Sequence, residues 1–574
     1  MAHNYEVPNT NLYLFSDVPL DPTYEHTIYW DSNLVTRDNY FQNQSGDIKA
    51  NLRYTLSNQS YQRLNRGWIR VTLPLQTGEE ISANATDRLR VCNYLCFQNT
   101  NFKDENAHSQ WYYCFIKTIK YINNNVAEIE YEIDVMTTWF NRYQLGRCFV
   151  EREHSATDTL FENTLPENIE IGDTYYINDT EKFDLNDMQL VILYTVIVPS
   201  SMQEHQMFEY GAIRNGIYTP LKIAVENIPD PNSDTFVADM CHINYLIHQA
   251  IGTQNIVAIY QCPTKFFPDR VSHEPIEWYL DLNSWKPTNH GTLAGHSVRN
   301  NKLFCYPYNL IMASNNSGQT GEYHFENWND INSIRFDIRG VCVTQPVGIC
   351  YPHGYRKSNI GVGGFNDYED GITISNFPVC AWQSDVFAEW WAQNKNSFMT
   401  SNLTSVLTTV GGGALGLAAT ALAPEIAIPV MAAGAGLSVA STVANSVAKV
   451  NDLKATAPQV RGQAQTDCLN GALKRYKYDF YHLCIKPEYL EMCDAYFDRY
   501  GYLTNANKYP NRNVRPHWTY TKTLDCVLIN NPETVLTSVP TEDLTKIAQI
   551  YNNGITFWKN PNEVGNYNLD NRTT

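Results

Sequence analysis

Residues 111–135 read WYYCFIKTIKYINNNVAEIEYEIDV, and this stretch decides the fold class. In its second half, apolar side chains alternate with acidic ones without a break. The apolar set is Ala127, Ile129, Tyr131, Ile133 and Val135. Alternation with a period of two is typical of a β-strand that buries one face. The asparagine-rich YINNNVA predicts a turn, so WYYCFIKTIKY becomes the other arm of a β-hairpin.

Further strand patterns extend this prediction along the chain. GWIRVTLPL (67–75) alternates in the same way, with Ile69, Val71, Leu73 and Leu75 on one face. Apolar runs predict more strands at LVILYTVIV (190–198), QNIVAIYQC (254–262) and SIRFDIRGVCVT (333–344). The chain is therefore predicted to be mainly β.

Helical patterns are local. TEDLTKIAQIYNNG, near the C-terminus, spaces its apolar residues at helical intervals, which predicts a helix. Thr541 is expected to cap its start, and Asn553-Gly554 to end it. Two more helices are predicted at 385–400 and 451–475, on either side of an apolar segment considered below.

Length and charge narrow the possible functions. The chain has 574 residues, so about two to four domains are expected. A net charge of -18 argues against duplex DNA or RNA as a ligand, because such binding depends on neutralising phosphates. An acidic surface does suit a conduit through which DNA passes without sticking. The 14 cysteines are scattered through strand-like sequence, which favours buried free thiols over disulfides or zinc.

Enzymatic motifs are lacking. The sequence has no GxxxxGK[ST], HExxH or GxSxG pattern. The stretch His273-Glu274-Pro275-Ile276-Glu277 resembles part of a zinc-protease motif, but Pro275 would break the helix. Cys241, His242 and His248 fall on different helix faces, so no metal site is expected. No cofactor is expected either.

Two segments place carboxylates beside tryptophan, as enzymes that cleave sugars do. They are EWYLDLNSW (277–285) and EYHFENWND (322–330), and Glu277 and Glu326 are their candidate carboxylates. An enzyme that cleaves sugars is therefore an alternative function. Surface or core aromatic residues are the simpler explanation of the same pattern.

The acidic face of the hairpin raises its own question. It consists of Glu128, Glu130, Glu132 and Asp134. Like charges on one strand face are unfavourable unless water or cations surround them. The face is either ordinary solvent-exposed surface or the lining of a water-filled lumen.

Residues 403–448 form a long apolar segment in an otherwise polar chain. Between Lys395 and Lys449 the only ionisable side chain is Glu425. Pro424-Glu425 divides the segment into 403–423 and 426–448, and each half has about the ~20 residues that a membrane span needs. A helical hairpin with Glu425 at its tip is therefore long enough to cross a bilayer twice.

The composition of this segment does not suit a permanent anchor. Alanine, glycine, serine and threonine dominate it, and the strongly apolar residues that drive insertion are few. Small residues at Gly412 and Gly416, and at Gly434 and Ser438, would let several copies pack closely. Three interpretations stay open: buried core helices, a constitutive anchor, or a loop sheltered in an oligomer and later released into a membrane.

A family resemblance favours the third interpretation. The sequence resembles the tail-knob (distal tail tube) proteins of small short-tailed bacteriophages that infect Gram-positive bacteria. The resemblance is carried by ordered motifs at both ends of the chain. They are NLYLFSDVPL (11–20), WYY (111–113), YEIDVMTTWF (131–140), FVEREHS (149–155), KLFCYPY (302–308), QNKNS (393–397), FDRYGY (497–502), YTKTLDC (520–526), NNGITFWKN (552–560) and GNYNLDN (565–571).

The resemblance implies a structural, non-enzymatic tail protein. The alternative is a host-adsorption protein or a cell-wall hydrolase of the phage tail. The resemblance also implies β-barrel domains that form a hexameric tube, with an additional α+β lobe and a long hydrophobic loop. On this basis 1–160 and 301–395 are expected to build the tube, 161–300 an inserted lobe, 396–450 the loop, and 451–574 a C-terminal β region. The base of the loop is expected at 393–397 and 451–465.

The same resemblance implies what the loop does. It would plug the lumen in the virion and then enter the host membrane, so that the genome can be ejected. The predicted plug residues are Leu403, Val406, Leu407, Val410, Gly412, Leu415, Gly416, Leu417, Leu422, Pro424, Glu425, Ile426, Ile428, Pro429, Val430, Met431, Gly434, Leu437, Val439, Val443 and Val447. The carboxylates at 128–134 become candidates for the lumen lining.

The implied partners and location follow from that role. The partners are five further copies of the chain, other tail and connector proteins, host membrane lipids, and phage DNA that passes through without sequence-specific binding. The protein would be made in the host cytoplasm and act from the distal tail of the virion.

Overall fold

A computed structural model describes most of the chain outside the apolar segment. The described residues are 10–59, 67–73, 84–103, 109–195, 207–214, 217–252, 255–267, 277–342, 346–356, 367–375, 377–380, 382–383, 460–461, 473–530 and 539–573. The helix predicted at 385–400 lies outside them. Most of the helix predicted at 451–475 does too, but its described residues Val460–Arg461 form a β-strand, so the helix prediction is wrong there.

β-Strands make up most of the regular structure. In chain order they are β1 Thr10–Ser16, β2 His26–Ile28, β3 Asn51–Gln59, β4 Trp68–Thr72, β5 Tyr94–Lys103, β6 Ser109–Asn123, β7 Val126–Ile133, β8 Tyr143–Leu145, β9 Cys148–Glu153, β10 Tyr175–Asp184, β11 Met188–Tyr194, β12 Met207–Arg214, β13 Ile217–Asn227, β14 Ile256–Pro263, β15 Glu277–Asp281, β16 Thr292–Leu293, β17 His296–Ser297, β18 Asn309–Ser314, β19 Thr320–Tyr323, β20 Arg335–Cys342, β21 Pro346–Pro352, β22 Ile372–Ile374, β23 Val379–Cys380, β24 Trp382–Gln383, β25 Val460–Arg461, β26 Lys477–Ile485, β27 Tyr502–Lys508, β28 Trp518–Thr523, β29 Leu528–Asn530 and β30 Ile555–Trp558. The mainly β prediction is confirmed.

Helices are short and few in the described residues. They are α1 Val35–Asp38, α2 Ala85–Leu89, α3 Val135–Thr138, α4 Phe236–Tyr245, α5 Pro487–Tyr500 and α6 Thr541–Asn553. The predicted C-terminal helix is confirmed as α6, and Gly554 ends it in a left-handed conformation that suits glycine. Its predicted cap is wrong, because Pro540 is the residue before the first turn and Thr541 is already helical.

The chain folds into two compact units, each built from segments that are distant in sequence. The first contains Met1–Thr174, Thr288–Tyr308 and Ile485–Thr574. The second contains Tyr175–Pro287 and Asn309–Cys484. The division predicted from the sequence is different. In particular, the region 451–574 is divided, since β26 pairs with β18 in the second unit while β27 and β28 pair with β9 in the first.

The predicted hairpin forms the middle of the largest sheet in the first unit. The strand order is β3-β1-β5-β6-β7-β4. β6 and β7 pair antiparallel, with Ile119 opposite Ile129, which confirms the hairpin. In β4, Ile69 and Val71 are fully buried, as the alternation predicts, because this face packs into the main hydrophobic core. Leu75 lies outside the described residues.

A second sheet of the first unit collects the C-terminal strands. Its order is β2-β30-β28-β9-β27, and β9 pairs on its two sides with β28 and β27. Trp518 and Trp558 lie opposite each other in β28 and β30 and are fully buried. Strands from the N-terminal third and from the C-terminal end of the sequence therefore share one sheet.

The second unit contains three larger sheets. Their strand orders are β10-β26-β18-β19, β12-β13-β11-β14-β23 and β15-β20-β21-β22. In the last of these, Gly340 and Gly348 lie opposite each other, and the ring of Phe266 packs on both. A Cβ on Gly340 would lie 2.3 Å from that ring, so glycine is required there. This face is therefore buried, and the opposite face points outward.

The cysteines agree with the sequence prediction. Every cysteine whose side chain the structure describes is a free thiol, and most of them are buried in strands. Burial raises the pKa of Cys92 and Cys484 to about 11, so both thiols stay protonated and behave as small apolar side chains.

Candidate functional site

The predicted plug residues, from Leu403 to Val447, lie outside the described residues. Also outside is the QNKNS stretch predicted at the base of the loop. Among the residues that the structure does describe, none belongs to a helix with the length and apolar character needed to cross a membrane. The described residues do, however, include both sides of the segment's attachment.

A two-stranded antiparallel ladder closes that attachment. Trp382 lies opposite Arg461, and Gln383 opposite Val460. The chain thus leaves at Gln383 and returns beside it at Val460. Immediately upstream, β23 pairs with β14, which ties the departing strand to the edge of a five-stranded sheet. The chain on the two sides of residues 384–459, which contain the apolar segment, is therefore held at one place on the second unit.

All four predicted carboxylates in the hairpin have partners within the chain, and Glu128 and Glu132 form ion pairs. Arg70 contacts Glu128 at 2.5 Å across β4 and β7, and the Thr118 hydroxyl donates to Glu130 at 2.8 Å. Glu132 receives Lys117 at 2.6 Å and Lys546 of α6 at 3.0 Å. Burial opposes ionisation of Glu132, but the hydrogen bonds from both lysines lower its pKa.

Glu128 and Asp134 depart from the predicted solvated face. Glu128 is largely buried, and Asp134 is only 1% exposed. The Asp134 carboxylate accepts from the Tyr94 hydroxyl at 2.8 Å and from the backbone N–H of Thr137 at 3.0 Å, which makes it the N-cap of α3. Burial raises its pKa. Asp134 therefore has a structural role in the core, and the lumen prediction remains only for Glu130 and Glu132.

The motifs FVEREHS, KLFCYPY and FDRYGY, which carry the family resemblance, contribute to a buried network of charged and polar side chains in the first unit. Glu167 is at its centre, with a side chain that is fully buried. Its carboxylate contacts Lys302 at 2.6 Å, forms an ion pair with Arg152, and accepts from the backbone N–H of Leu503 at 2.8 Å. Burial lowers the pKa of Lys302, and the Glu167 carboxylate opposes that change.

A second part of the network surrounds two aspartates of α5. Asp494 is fully buried and accepts from the backbone N–H groups of Arg299 at 2.9 Å and Asn300 at 3.0 Å. His296 lies 2.8 Å from it through Nε2. Arg299 also donates to Asp498 at 2.8 Å. Burial raises the pKa of Asp498 to about 6, and the charge of Arg299 limits the increase.

His154 joins this network to the C-terminal sheet. Its Nδ1 accepts from the backbone N–H of Tyr520 at 2.7 Å, so the proton is on Nε2, which donates to the Asp498 carbonyl at 3.1 Å. Burial lowers the pKa of His154 to about 3, and the charge of Arg515 adds to this effect. His154 is therefore a neutral structural side chain near neutral pH.

The network joins distant segments of the first unit and stabilises its fold. The interactions described above satisfy the charges of Glu167, Asp494 and Asp498. The sequence analysis missed this network because its partners are distant in sequence; Glu167 and Leu503, for example, are 336 positions apart. The available signal was the set of charged residues inside the motifs FVEREHS, KLFCYPY and FDRYGY.

The residues proposed for sugar cleavage lie on separate elements of the second unit. Glu277 is on β15 and accepts a hydrogen bond from the Tyr351 hydroxyl. Glu326 is in a helical turn, and His324 lies 3.9 Å from it. In the described part of the chain, no group of three or more histidine, cysteine or carboxylate side chains is arranged to hold a metal ion.

Comparison with known proteins identifies the family. The model of the C-terminal domain of Bacillus phage phi29 tail knob protein gp9 matches residues 268–572, more than half of the chain. The chain belongs to the phage tail knob family. A second model, the N-terminus of the caudoviral major tail protein, matches residues 8–144. The protein is thus a structural component of the virion tail, as the resemblance implied.

Individual tail knob proteins match along their whole length. The tail knob proteins gp9 of Bacillus phages PZA and phi29 are each 24% identical to this chain, over 98% of this chain and 98% of theirs. The solved structure of the bacteriophage C1 tail knob protein, gp12, matches with a TM-score of 0.59 at 14% identity, over 98% of this chain and 99% of that one. This last likeness shows a shared tail-knob fold.

Proposed function

We propose that six copies of this chain form the distal tube of the tail, and that their 403–448 segments act in two stages. The segments first plug the lumen in the virion and then enter the host membrane, which lets the genome leave. Other tail and connector proteins hold the tube in place, and DNA passes through the lumen without sequence-specific binding. The observation that carries this proposal is the apolar segment inside a tail knob chain, with Glu425 as its only ionisable side chain.

The attachment of the segment supports this function. A ladder at Gln383 and Val460 holds the chain together on the two sides of residues 384–459, which supports a segment that leaves a sheltered position while the rest of the fold remains intact. Its two near-equal halves suit a hairpin that is long enough for a bilayer. Its small residues suit close packing of several copies, either as a plug or as a pore.

The charge of the chain supports passage of DNA. A net charge of -18 repels a polyanion. Glu130 and Glu132 are the carboxylates proposed to face the lumen, because they are only partly covered in the single chain. Lys117 and Lys546 offset part of this local negative charge, so the proposed wall is weakly acidic.

Leakage from dye-filled liposomes tests the membrane step. The full chain, given mild acid or detergent to release its segments, is expected to empty the vesicles. A variant in which a short glycine-serine linker replaces 403–448 is expected to leave them intact. The matched control is Glu425→Gln, which keeps the segment but removes its charge and should insert at least as well, because a charged carboxylate is costly to desolvate.

Whether the deletion variant folds distinguishes a membrane-active segment from ordinary core helices. If 403–448 is ordinary core, the deletion variant will not fold, and the interpretation as core helices will replace the plug. If the deletion variant folds and still empties the vesicles at the rate of the full chain, the membrane role of the segment is excluded. Circular dichroism and the oligomeric mass of each variant provide these checks.

A further inference from the structure

The outer face of the β15-β20-β21-β22 sheet is unusual in its side chains. Because Phe266 covers the other face, alternate residues of these strands point outward. Tyr279, Asp337 and Tyr351 lie side by side on β15, β20 and β21. Residues one pair along the strands on the same face complete a group that we call the outer-face cluster. The cluster consists of Glu277, Tyr279, Arg335, Asp337, Tyr351 and His353.

An exposed aromatic ring lies at the edge of this cluster. Tyr279 is 65% exposed, on the edge strand β15. The Arg335 guanidinium lies 5.6 Å from the centre of its ring, which limits the directions the ring can take. The exposed face of this ring is available for stacking on an apolar surface of a ligand.

The polar groups beside the ring are already oriented by one another. Asp337 accepts from His353 Nδ1 at 2.7 Å, so the other ring nitrogen of His353 accepts from Arg335, at 3.1 Å. The Arg335 Nε lies 3.2 Å from Asp337. Burial raises the pKa of Asp337, and the nearby Glu277 charge adds to the increase. Asp337 is thus a positioning residue that fixes His353 and Arg335.

The exposed members present both donors and acceptors. Glu277 is exposed and accepts from the Tyr351 hydroxyl through Oε1, which sets the direction of its carboxylate. The side chains of His353 and Arg335 are 44% and 35% exposed. Donors, acceptors and one flat apolar surface therefore occur together within the width of three strands.

This combination selects among possible ligands. Nucleic acid would need an excess of cations, and this face has none: with Asp281 and Arg339, which lie opposite Arg335 and Glu277, it carries three carboxylates against two arginines. A lipid surface or a protein hot spot would need a larger apolar patch than one tyrosine. A pyranose ring has a flat C–H face for an aromatic ring and hydroxyl groups that both donate and accept.

We propose that the outer-face cluster binds a neutral saccharide. The ring of Tyr279 stacks on the C–H face of one sugar unit, and Glu277 and Arg335 bind its hydroxyl groups. Asp337, Tyr351 and His353 hold these two side chains in position and do not themselves contact the sugar. The tail knob would thereby contact polysaccharide through its second unit, independently of the apolar segment.

Calorimetric titration of the full chain with two neutral tetramers tests this proposal. Chitotetraose carries N-acetyl groups and cellotetraose does not, so the pair also distinguishes the two sugar types. Saturable binding of at least one tetramer is expected. Tyr279→Ala should weaken it about tenfold, the scale of a lost aromatic contact. Glu277→Gln should weaken it severalfold, because the amide keeps the bond from Tyr351 but loses the charge.

The control is Tyr509→Ala, which removes a tyrosine of similar exposure from the first unit. Its binding should equal that of the unaltered chain. Two results would overturn the proposal: neither tetramer binds, or Tyr279→Ala and Tyr509→Ala bind alike. A change in oligomeric mass with Tyr279→Ala would also overturn it, since the cluster would then be a contact between copies of the chain.

Discussion

Two polar clusters of this protein use the same kinds of side chain in opposite surroundings. The network around Glu167 excludes water almost completely, with the side chain of Lys302 only 1% exposed. The outer-face cluster around Asp337 leaves the ring of Tyr279 65% exposed. In the first cluster the charges come from segments far apart in sequence, and their pairing joins those segments. In the second, neighbouring strands supply the charges, and the exposed groups remain available to a ligand.

The largest difference should appear when one carboxylate is neutralised. Glu167→Gln leaves Lys302 and Arg152 in the interior without their partner. Loss of one member of a buried ion pair costs ~3–5 kcal/mol, so the free energy of unfolding should fall by about that amount. Urea unfolding followed by tryptophan fluorescence measures the change. If Glu167→Gln leaves the free energy of unfolding unchanged, the buried ion pairs of Glu167 do not stabilise the fold.

A smaller effect is expected from pH, through Asp498. Burial raises the pKa of Asp498 from 3.8 to about 6 in the folded chain. The folded chain therefore keeps a proton over a pH range in which the unfolded chain has lost it. The contribution of Asp498 to the free energy of unfolding is present below about pH 4 and falls as pH rises to about 6, by up to roughly 3 kcal/mol. Asp498→Asn should lack this loss.

Comparing the unaltered chain with the Asp498→Asn variant isolates the contribution of Asp498 to the pH dependence of stability. The pKa of His154 is lowered to about 3, so its contribution has the opposite sign and is lost as pH falls below about 6.5. The unaltered chain and the Asp498→Asn variant share this contribution of His154 to stability. Subtracting one pH profile from the other removes it, and a flat difference between pH 4 and 6 would contradict the expected role of Asp498.

The smallest effect is expected on the outer face. Glu277→Gln removes a charge that is exposed to water, where an ion pair contributes about 0–1 kcal/mol. The urea midpoint should therefore barely move, although saccharide affinity should fall. A loss of stability as large as that of Glu167→Gln would show that the two clusters do not differ in the way their exposure indicates.

Local patterns in the sequence predicted the local structure well. The alternation in 127–135 was sufficient to predict the hairpin, because a strand with one buried face alternates apolar and polar residues within its own sequence. Asp134 was misread as part of the acidic face, although an aspartate directly before a short helical turn is also a cap. The local pattern could not decide between these roles, since the choice depends on Tyr94 from another strand.

Long-range structure was less predictable. The pairing of β9 with β27 and β28 and the contacts of Glu167 join residues hundreds of positions apart, and no periodicity records them. The motifs of the family marked the right residues without showing that they meet. The outer-face cluster was visible only as EWYLDLNSW, because its other members come from β20 and β21.

The ladder between β24 and β25 has a topological consequence for the proposed membrane step. If Gln383 and Val460 stay side by side, both ends of the segment remain on the same side of the bilayer. Any path through the bilayer must then cross it an even number of times. A hairpin divided at Pro424-Glu425 meets that condition with two crossings, and Glu425 would be delivered to the far side. Each copy would thus add its spans to the pore in pairs, and no chain end would have to be threaded through the lipid.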